Sequence, residues 1–292
     1  MIPSILNFNF RDILCFLRFR LKYFVIFTKT TNIYPRTRAL TMIKQIPNII
    51  TSLNLLCGTI AIFFAVSGDL ITASFFIFFG IFFDFFDGLA ARALKAQSDV
   101  GLELDSLADM VTSGVAPSIV MVQLLSLAYT GHYFEVSDAF TSSGWNTVFY
   151  GYLPLIGLLI AVASAYRLAK FNVDTRQTSS FIGLPTPANT LLILSLPLIL
   201  QYQYTEGISD IILNPWLLIG LTVVSCVLMN IELPLFALKF KSWDFKSNAI
   251  RYIFLVLCAV LLVLLKFLAI PIIIFFYIVL SLFWKDEARV SG

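Results

Sequence analysis

Four aspartates interrupt two apolar runs of this 292-residue chain: Asp84, Asp87, Asp105 and Asp109, in the stretch FFDFFDGLAARALKAQSDVGLELDSLADM. A carboxylate at the middle of a membrane helix costs roughly 2.5–3.5 kcal/mol, so four would cost on the order of 10 kcal/mol, less near the interface. Only Arg92 and Lys95 stand nearby as cations, and a divalent metal is the more economical compensation. Asp84 and Asp87, at i, i+3, share one helical face; Asp105 and Asp109, at i, i+4, share another. Antiparallel helices joined through residues 95–101 would turn those faces toward each other. Clustered carboxylates bind hard cations such as Mg²⁺ or Mn²⁺, and two of these roughly 3.5–4 Å apart would suit displacement at phosphorus. Gly88 and Gly101 leave room for backbone and ligand to approach closely. Arg92 can grip a phosphate through two donors.

The elements that must hold these side chains are membrane helices. The chain is 59% hydrophobic and only 13% charged, where a soluble domain has about 25% charged residues. Its mean hydropathy is +0.90 and it contains 29 Phe. Such a composition excludes a cytosolic enzyme, a disordered tail and a nucleic-acid module. Apolar runs recur near the roughly 20 residues needed to cross a bilayer, at 49–66, 71–94, 104–127, 148–168, 187–202, 215–229, 248–265 and 270–284. The expected fold is therefore an all-α integral membrane bundle of about eight transmembrane helices. Arg92 and Lys95, then Arg167, Lys170 and Arg176, then Lys239, Lys241, Lys246 and Arg251 fall in alternate linkers. The intervening linkers carry Glu135 and Asp138, or Glu206 and Asp210, without Lys or Arg. By the positive-inside rule, both termini and the aspartate cluster face the cytoplasm, with the cell (inner) membrane as the expected location.

Residues 1–45 hold eight Lys or Arg against Asp12 alone. Within them, 5–27 alternates apolar residues with Arg11, Arg18, Arg20 and Lys22, which suits a helix on an anionic membrane surface. No small-residue cleavage site follows it. Met42 opens a stretch that would itself make a sensible N-terminus, and the preceding 41 residues are expected to contribute nothing to the chemistry. Cys15, Cys57, Cys226 and Cys258 have no metal-ligand spacing and read as small hydrophobes. His132, the only histidine, belongs to an acidic linker. Trp145, Trp216, Trp243 and Trp284 lie near span ends, as in an interfacial aromatic belt.

Asp84-x2-Asp87-Gly88-x2-Ala91-Arg92-x8-Gly101-x3-Asp105-x3-Asp109 resembles, position for position, the signature of the CDP-alcohol phosphatidyltransferases. The resemblance implies a six-helix membrane core, here with two further helices, and a site for two divalent cations, Mg²⁺ or Mn²⁺. It implies displacement of CMP from a CDP-linked lipid by an alcohol. Asp84, Asp87 and Asp105 would be metal ligands, and Asp109 a metal ligand or the general base. Gly88, Ala91, Arg92 and Gly101 would line the CDP pocket. Residues 46–292 would form the transmembrane phosphatidyltransferase domain, behind the 1–45 extension.

Stretches 47–55, 105–117, 167–172 and 181–188 are similar to the branch of that family that uses CDP-diacylglycerol and L-serine. Asn48, Thr51 and Asn54 would then bond the nucleotide or groups at the metal site. A zwitterionic acceptor needs a cation for its carboxylate, which Arg167, Lys170 or Arg176 could supply. It also needs an acceptor for its ammonium, which Asn172 or a spare aspartate oxygen could supply. The plain alternative for those three cations is positive-inside bias, and Gly183, Pro185 and Pro187 read equally as loop punctuation. Expected partners are the two substrates and membrane lipids, with a homodimer as an admissible assembly and no nucleic acid. Glycerol 3-phosphate or an inositol phosphate as acceptor would ask for more clustered cations. A divalent-cation carrier would need polar residues along a path through the later spans, which contain no carboxylate.

Overall fold

The computed structural model describes residues 44–135, 152–173, 181–235 and 245–283. The chain divides into two units, Met1–Gln45 and Ile46–Gly292, and nearly all of the first lies outside the described residues. Among its described residues the second is built of helices, short connections and one two-residue strand pair.

Helices α1 (Ile46–Val66) and α2 (Leu70–Ala93) pack as a tight hairpin. Between them Gly68 takes φ +83°, and Asp69 Oδ1 accepts from the Thr72 amide at 3.0 Å. That side chain occupies the N-cap position, where it satisfies an amide the helix leaves open. At its far end α2 stops on Lys95, φ +49°, and the Ala96 amide closes back on the Ala91 carbonyl at 2.9 Å. Ser98 then caps the next helix by accepting from the Gly101 amide at 3.0 Å. The 95–98 segment thus reverses the chain in the way the carboxylate spacing requires.

Helix α3 runs through Asp99–Thr130, interrupted by a wide π-type turn at Met110–Val115. In its most apolar window 72% of residues are buried, against 28% for α1 and 33% for α2. It is the central post of the bundle; α1 and α2 present Phe63, Phe75, Phe78, Phe82 and Phe85 outward. Helix α4 (Leu153–Val173, opening with a 3₁₀ turn at Leu153–Leu158) packs along the π turn. Small residues allow these close approaches. A Cβ on Gly58 would stand 2.3 Å from Thr112 Oγ1 and 2.9 Å from Thr112 Cα, and one on Gly80 would stand 2.5 Å from Thr112 Cγ2. Thr112 is therefore wedged between α1 and α2, and its hydroxyl donates to the Asn54 carbonyl at 3.1 Å.

Strand β1 (Phe181–Ile182) pairs antiparallel with β2 (Pro234–Leu235). Next to it Gly183, at φ +73°, docks on the end of a later helix, where a Cβ would meet the Met229 carbonyl at 2.6 Å. Helix α5 (Thr186–Tyr202) starts directly after Pro185 and is buried along most of its length. Helices α6 (Glu206–Ile212) and α7 (Pro215–Asn230) meet at a 52° bend. Helices α8 (Phe245–Leu265) and α9 (Ala269–Phe283) are separated by a 3₁₀ turn in which Lys266 adopts φ +50°. The Phe254 and Tyr277 rings lie 6.2 Å apart, so these two fold back on each other.

Among the described residues, five helical segments are long and apolar enough to cross a membrane, or six if the bent α6–α7 pair is one span. The architecture is thus a multi-pass helical membrane bundle, while the expected count of eight is not established. Helix α5, with 17 residues, is shorter than the roughly 20 that a bilayer crossing takes, and α8 with α9 enters the count as the single 31-residue segment Tyr252–Leu282 although the two fold back on each other.

Candidate metal and phosphate site

The start of α1, the end of α2, the start of α3 and the end of α4 gather at one end of the bundle. One carboxylate oxygen from each of Asp84, Asp87 and Asp105 lies within 4.8 Å of the other two. The two aspartates of α2 and the first of α3 thus converge as their spacing predicts. Asp109 stands one turn further along α3, within hydrogen-bonding reach of Asp84, and accepts from Asn54 Nδ2 at 3.3 Å. Asp87 Oδ2 and Asp105 Oδ1 are buried without a hydrogen-bond partner. Buried carboxylate oxygens in that condition are costly, and these two, with the Asp84 carboxylate beside them, form a donor set suited to a hard divalent cation. The residues fit the metal that the sequence implies.

Beside this cluster lies a cavity of about 410 Å³. Asn48, Thr51, Gly88, Ala91, Arg92 and Gly101, the six residues assigned to the CDP-lipid, all line it, together with Asp87 and Asp105. The space beside Gly88 is open: a Cβ there would come no nearer than 3.7 Å to anything, and that contact is the Arg92 guanidinium. At Gly101 a Cβ would press on Asn48 Oδ1 at 3.0 Å. The two glycines therefore differ, one keeping the cavity wide and the other letting α1 and α3 close in. Thr51 lies beside Asp87 and donates its hydroxyl to the Pro47 carbonyl at 3.0 Å.

The residues considered for the acceptor separate into different situations. Arg167 is only 8% exposed, its Nε has no partner, and it interacts electrostatically with Asp109. Asn172 instead bonds Ser106, donating from Nδ2 at 2.9 Å and accepting at Oδ1 at 3.3 Å. Lys170 is paired with Glu232 at 2.9 Å. Arg176 lies outside the described residues, and His132 is exposed at the opposite end of α3. Sequence reasoning gave no role to Gly58, Gly80, Thr112 or Ser106. Gly80, one turn before Asp84 on the same face of α2, and Gly58, one turn after Asn54 on α1, offered only their small size as a signal.

A family model described as CDP-alcohol phosphatidyltransferase matches residues 44–228. Three relatives carry the name CDP-diacylglycerol–serine O-phosphatidyltransferase. One, from Bacillus subtilis, is 40% identical over 49% of this chain and 70% of its own length. Another, from Helicobacter pylori, is 32% identical over 72% of this chain and 79% of its own. The third, from Mycobacterium bovis, is 31% identical over 83% of this chain and 79% of its own.

Proposed function

The chain belongs to the CDP-alcohol phosphatidyltransferase family, and on that premise we propose that it transfers the phosphatidyl group of CDP-diacylglycerol to the hydroxyl of L-serine. The observation that carries the proposal is the meeting of two unpartnered carboxylate oxygens, on Asp87 and Asp105, with a cavity walled by Gly88, Arg92 and Gly101. The similarly named relatives support serine as the acceptor.

Asn48, Thr51 and Arg92 bind and orient the nucleotide diphosphate, with Arg92 taking a phosphate through paired donors. Asp84, Asp87 and Asp105, with Asp109, would hold two Mg²⁺ or Mn²⁺ ions, and those ions would supply positive charge to the pyrophosphate. The serine hydroxyl oxygen attacks the lipid-bearing phosphorus, the P–O bond to CMP breaks, and CMP leaves with its phosphate. Asp109 accepts the hydroxyl proton; Asn54 fixes the direction of its carboxylate. Buried Arg167, close to Asp109, draws the acceptor's carboxylate to the reacting end. The enzyme sits in the cell membrane with this end on the cytoplasmic side, as the basic linkers favour. A homodimer belongs to the same proposal, tested by cross-linking in the membrane.

The test is a purified chain supplied with CDP-diacylglycerol, Mn²⁺ or Mg²⁺, and a panel of acceptors. CMP release with serine, and with neither glycerol 3-phosphate nor inositol phosphate, is expected. Turnover of a phosphorylated acceptor in preference to serine would replace the acceptor assignment. No CMP release with any acceptor would remove the reaction itself.

A further inference from the structure

Asn189, in the first turns of α5, is fully buried, and both Oδ1 and Nδ2 lack a hydrogen-bond partner. A wholly buried amide with neither half satisfied burdens the fold, because its polar atoms have left water and gained nothing. Two neighbouring groups share that condition: Ser113 Oγ and Arg167 Nε are also buried and unpartnered. Their elements meet at one level of the bundle. Thr190, next to Asn189, donates to the Ser113 carbonyl at 2.9 Å. Ser113 belongs to the π turn directly after Asp109. On the other side Gly114 faces Ser164, whose Cβ would be 3.1 Å from an added Cβ, and Arg167 follows Ser164 by one turn.

We propose that Asn189 is a specificity-determining residue for the acceptor, completing with Arg167 and Ser113 a subsite that holds a free amino acid by both of its charged groups. The inference rests on the serine-transfer reading above. Arg167 Nε and Asn189 Nδ2 are donors and match a carboxylate. Asn189 Oδ1 and Ser113 Oγ can accept from an ammonium. A phosphorylated alcohol carries no ammonium, so it would offer Asn189 Oδ1 no charged donor, and the amide discriminates as well as binds. Asn172, the amide expected from sequence in this role, is engaged with Ser106.

The experiment uses the full chain in detergent with CDP-diacylglycerol and Mn²⁺, comparing wild type with Asn189→Leu and Ser113→Ala. Losing a hydrogen bond to a charged group should raise the serine KM roughly 10- to 100-fold in Asn189→Leu, with the KM for CDP-diacylglycerol unchanged. The leucine variant should melt no lower than wild type, since an unsatisfied amide has been replaced by an apolar group of similar size. Ser113→Ala should raise the serine KM in the same selective way, and carries the test if Asn189→Leu does not fold. Normal serine KM in the folded variants, or an equal rise in both KM values, would overturn the proposal. Absence of phosphatidylserine formation by the wild type would instead overturn the parent reading, so the two failures are told apart.

Discussion

Asn54 of α1 donates through Nδ2 to Asp109 Oδ1 of α3 at 3.3 Å, while its own backbone carbonyl accepts from Thr112. One residue thus aims the inner aspartate and ties down the turn that follows it. Asn54→Leu should keep the fold but free the Asp109 carboxylate to rotate. With a charged hydrogen bond contributing about 1.5–3 kcal/mol, kcat should drop roughly 10- to 100-fold while the KM for CDP-diacylglycerol changes little. Steady-state kinetics in detergent check this, and an unchanged kcat would remove Asn54 from the positioning of Asp109.

Metal ligation by Asp87 and Asp105 predicts opposite effects on stability and on binding. Without divalent ions, Asp105→Asn should melt higher than wild type, because it relieves repulsion among carboxylates gathered within 4.8 Å. With Mn²⁺ present, wild type should gain stability through binding to the folded state, and the variant should lose most of that gain. Since even outer groups that merely support ligands typically contribute 10- to 100-fold to metal affinity, a direct ligand should cost at least about 100-fold. Mn²⁺ titration followed by electron paramagnetic resonance, alongside thermal melts, measures both halves.

The wedge at Thr112 predicts a rescue. Gly80→Ala drives a Cβ to 2.5 Å from Thr112 Cγ2, and overpacking of this kind costs roughly 1–3 kcal/mol. Thr112→Ser removes that methyl and keeps the hydroxyl that bonds Asn54. The double variant should therefore recover most of the lost stability, giving a coupling energy of the sign expected for touching residues. Additive losses would show that the three helices do not meet there as described.

Gly88 and Gly101 separate ligand room from helix packing. Gly88→Ala should not lower the melting temperature, because nothing lies closer than 3.7 Å and alanine suits a helix interior better than glycine, yet it should weaken CDP-diacylglycerol binding by narrowing the cavity. Gly101→Ala, facing Asn48 Oδ1 at 3.0 Å, should lower both.

At the opposite end of the bundle, the Thr72 hydrogen bonds hold the Asp69 carboxyl below its ordinary pKa. A depressed carboxyl stabilises the folded state fully above its unfolded pKa, near 4, and loses that contribution as pH falls through the folded value. Asp69→Ala should cost about 1 kcal/mol at neutral pH and progressively less as pH falls through the folded carboxyl's lowered pKa. Melting curves across that range check it.

Much of the site was legible because bilayer physics makes charge conspicuous. Four aspartates inside apolar helices could be paired by helical period alone, and three of them do converge. Gly88, Arg92 and Gly101 could be read from their types and spacing as room and charge for a phosphate, and they line one cavity, whereas Asn48, Thr51 and Ala91 came only with the family resemblance. Asn189 and Ser113 were not legible: a polar residue in a buried helix looks like any hydrogen-bonded neighbour until its partners are sought. Asn172 is the converse case, since nothing along the chain reveals that Ser106, 66 residues away, engages its amide. The count of eight spans is not established, because α5 is shorter than a bilayer crossing and α8 with α9 is one continuous helical segment by length.

The wide turn at Met110–Val115 puts two lengths of α3 out of phase. At 3.6 residues per turn each residue rotates a helix by about 100°, and a π turn stores one residue's worth of that rotation. Asp105 and Asp109 are clocked to α2 on one side of it; Met121, Leu124 and Leu125 are clocked to the bundle interior on the other. Deleting one residue there would rewind the helix and force a choice between aligned acids and an aligned interior.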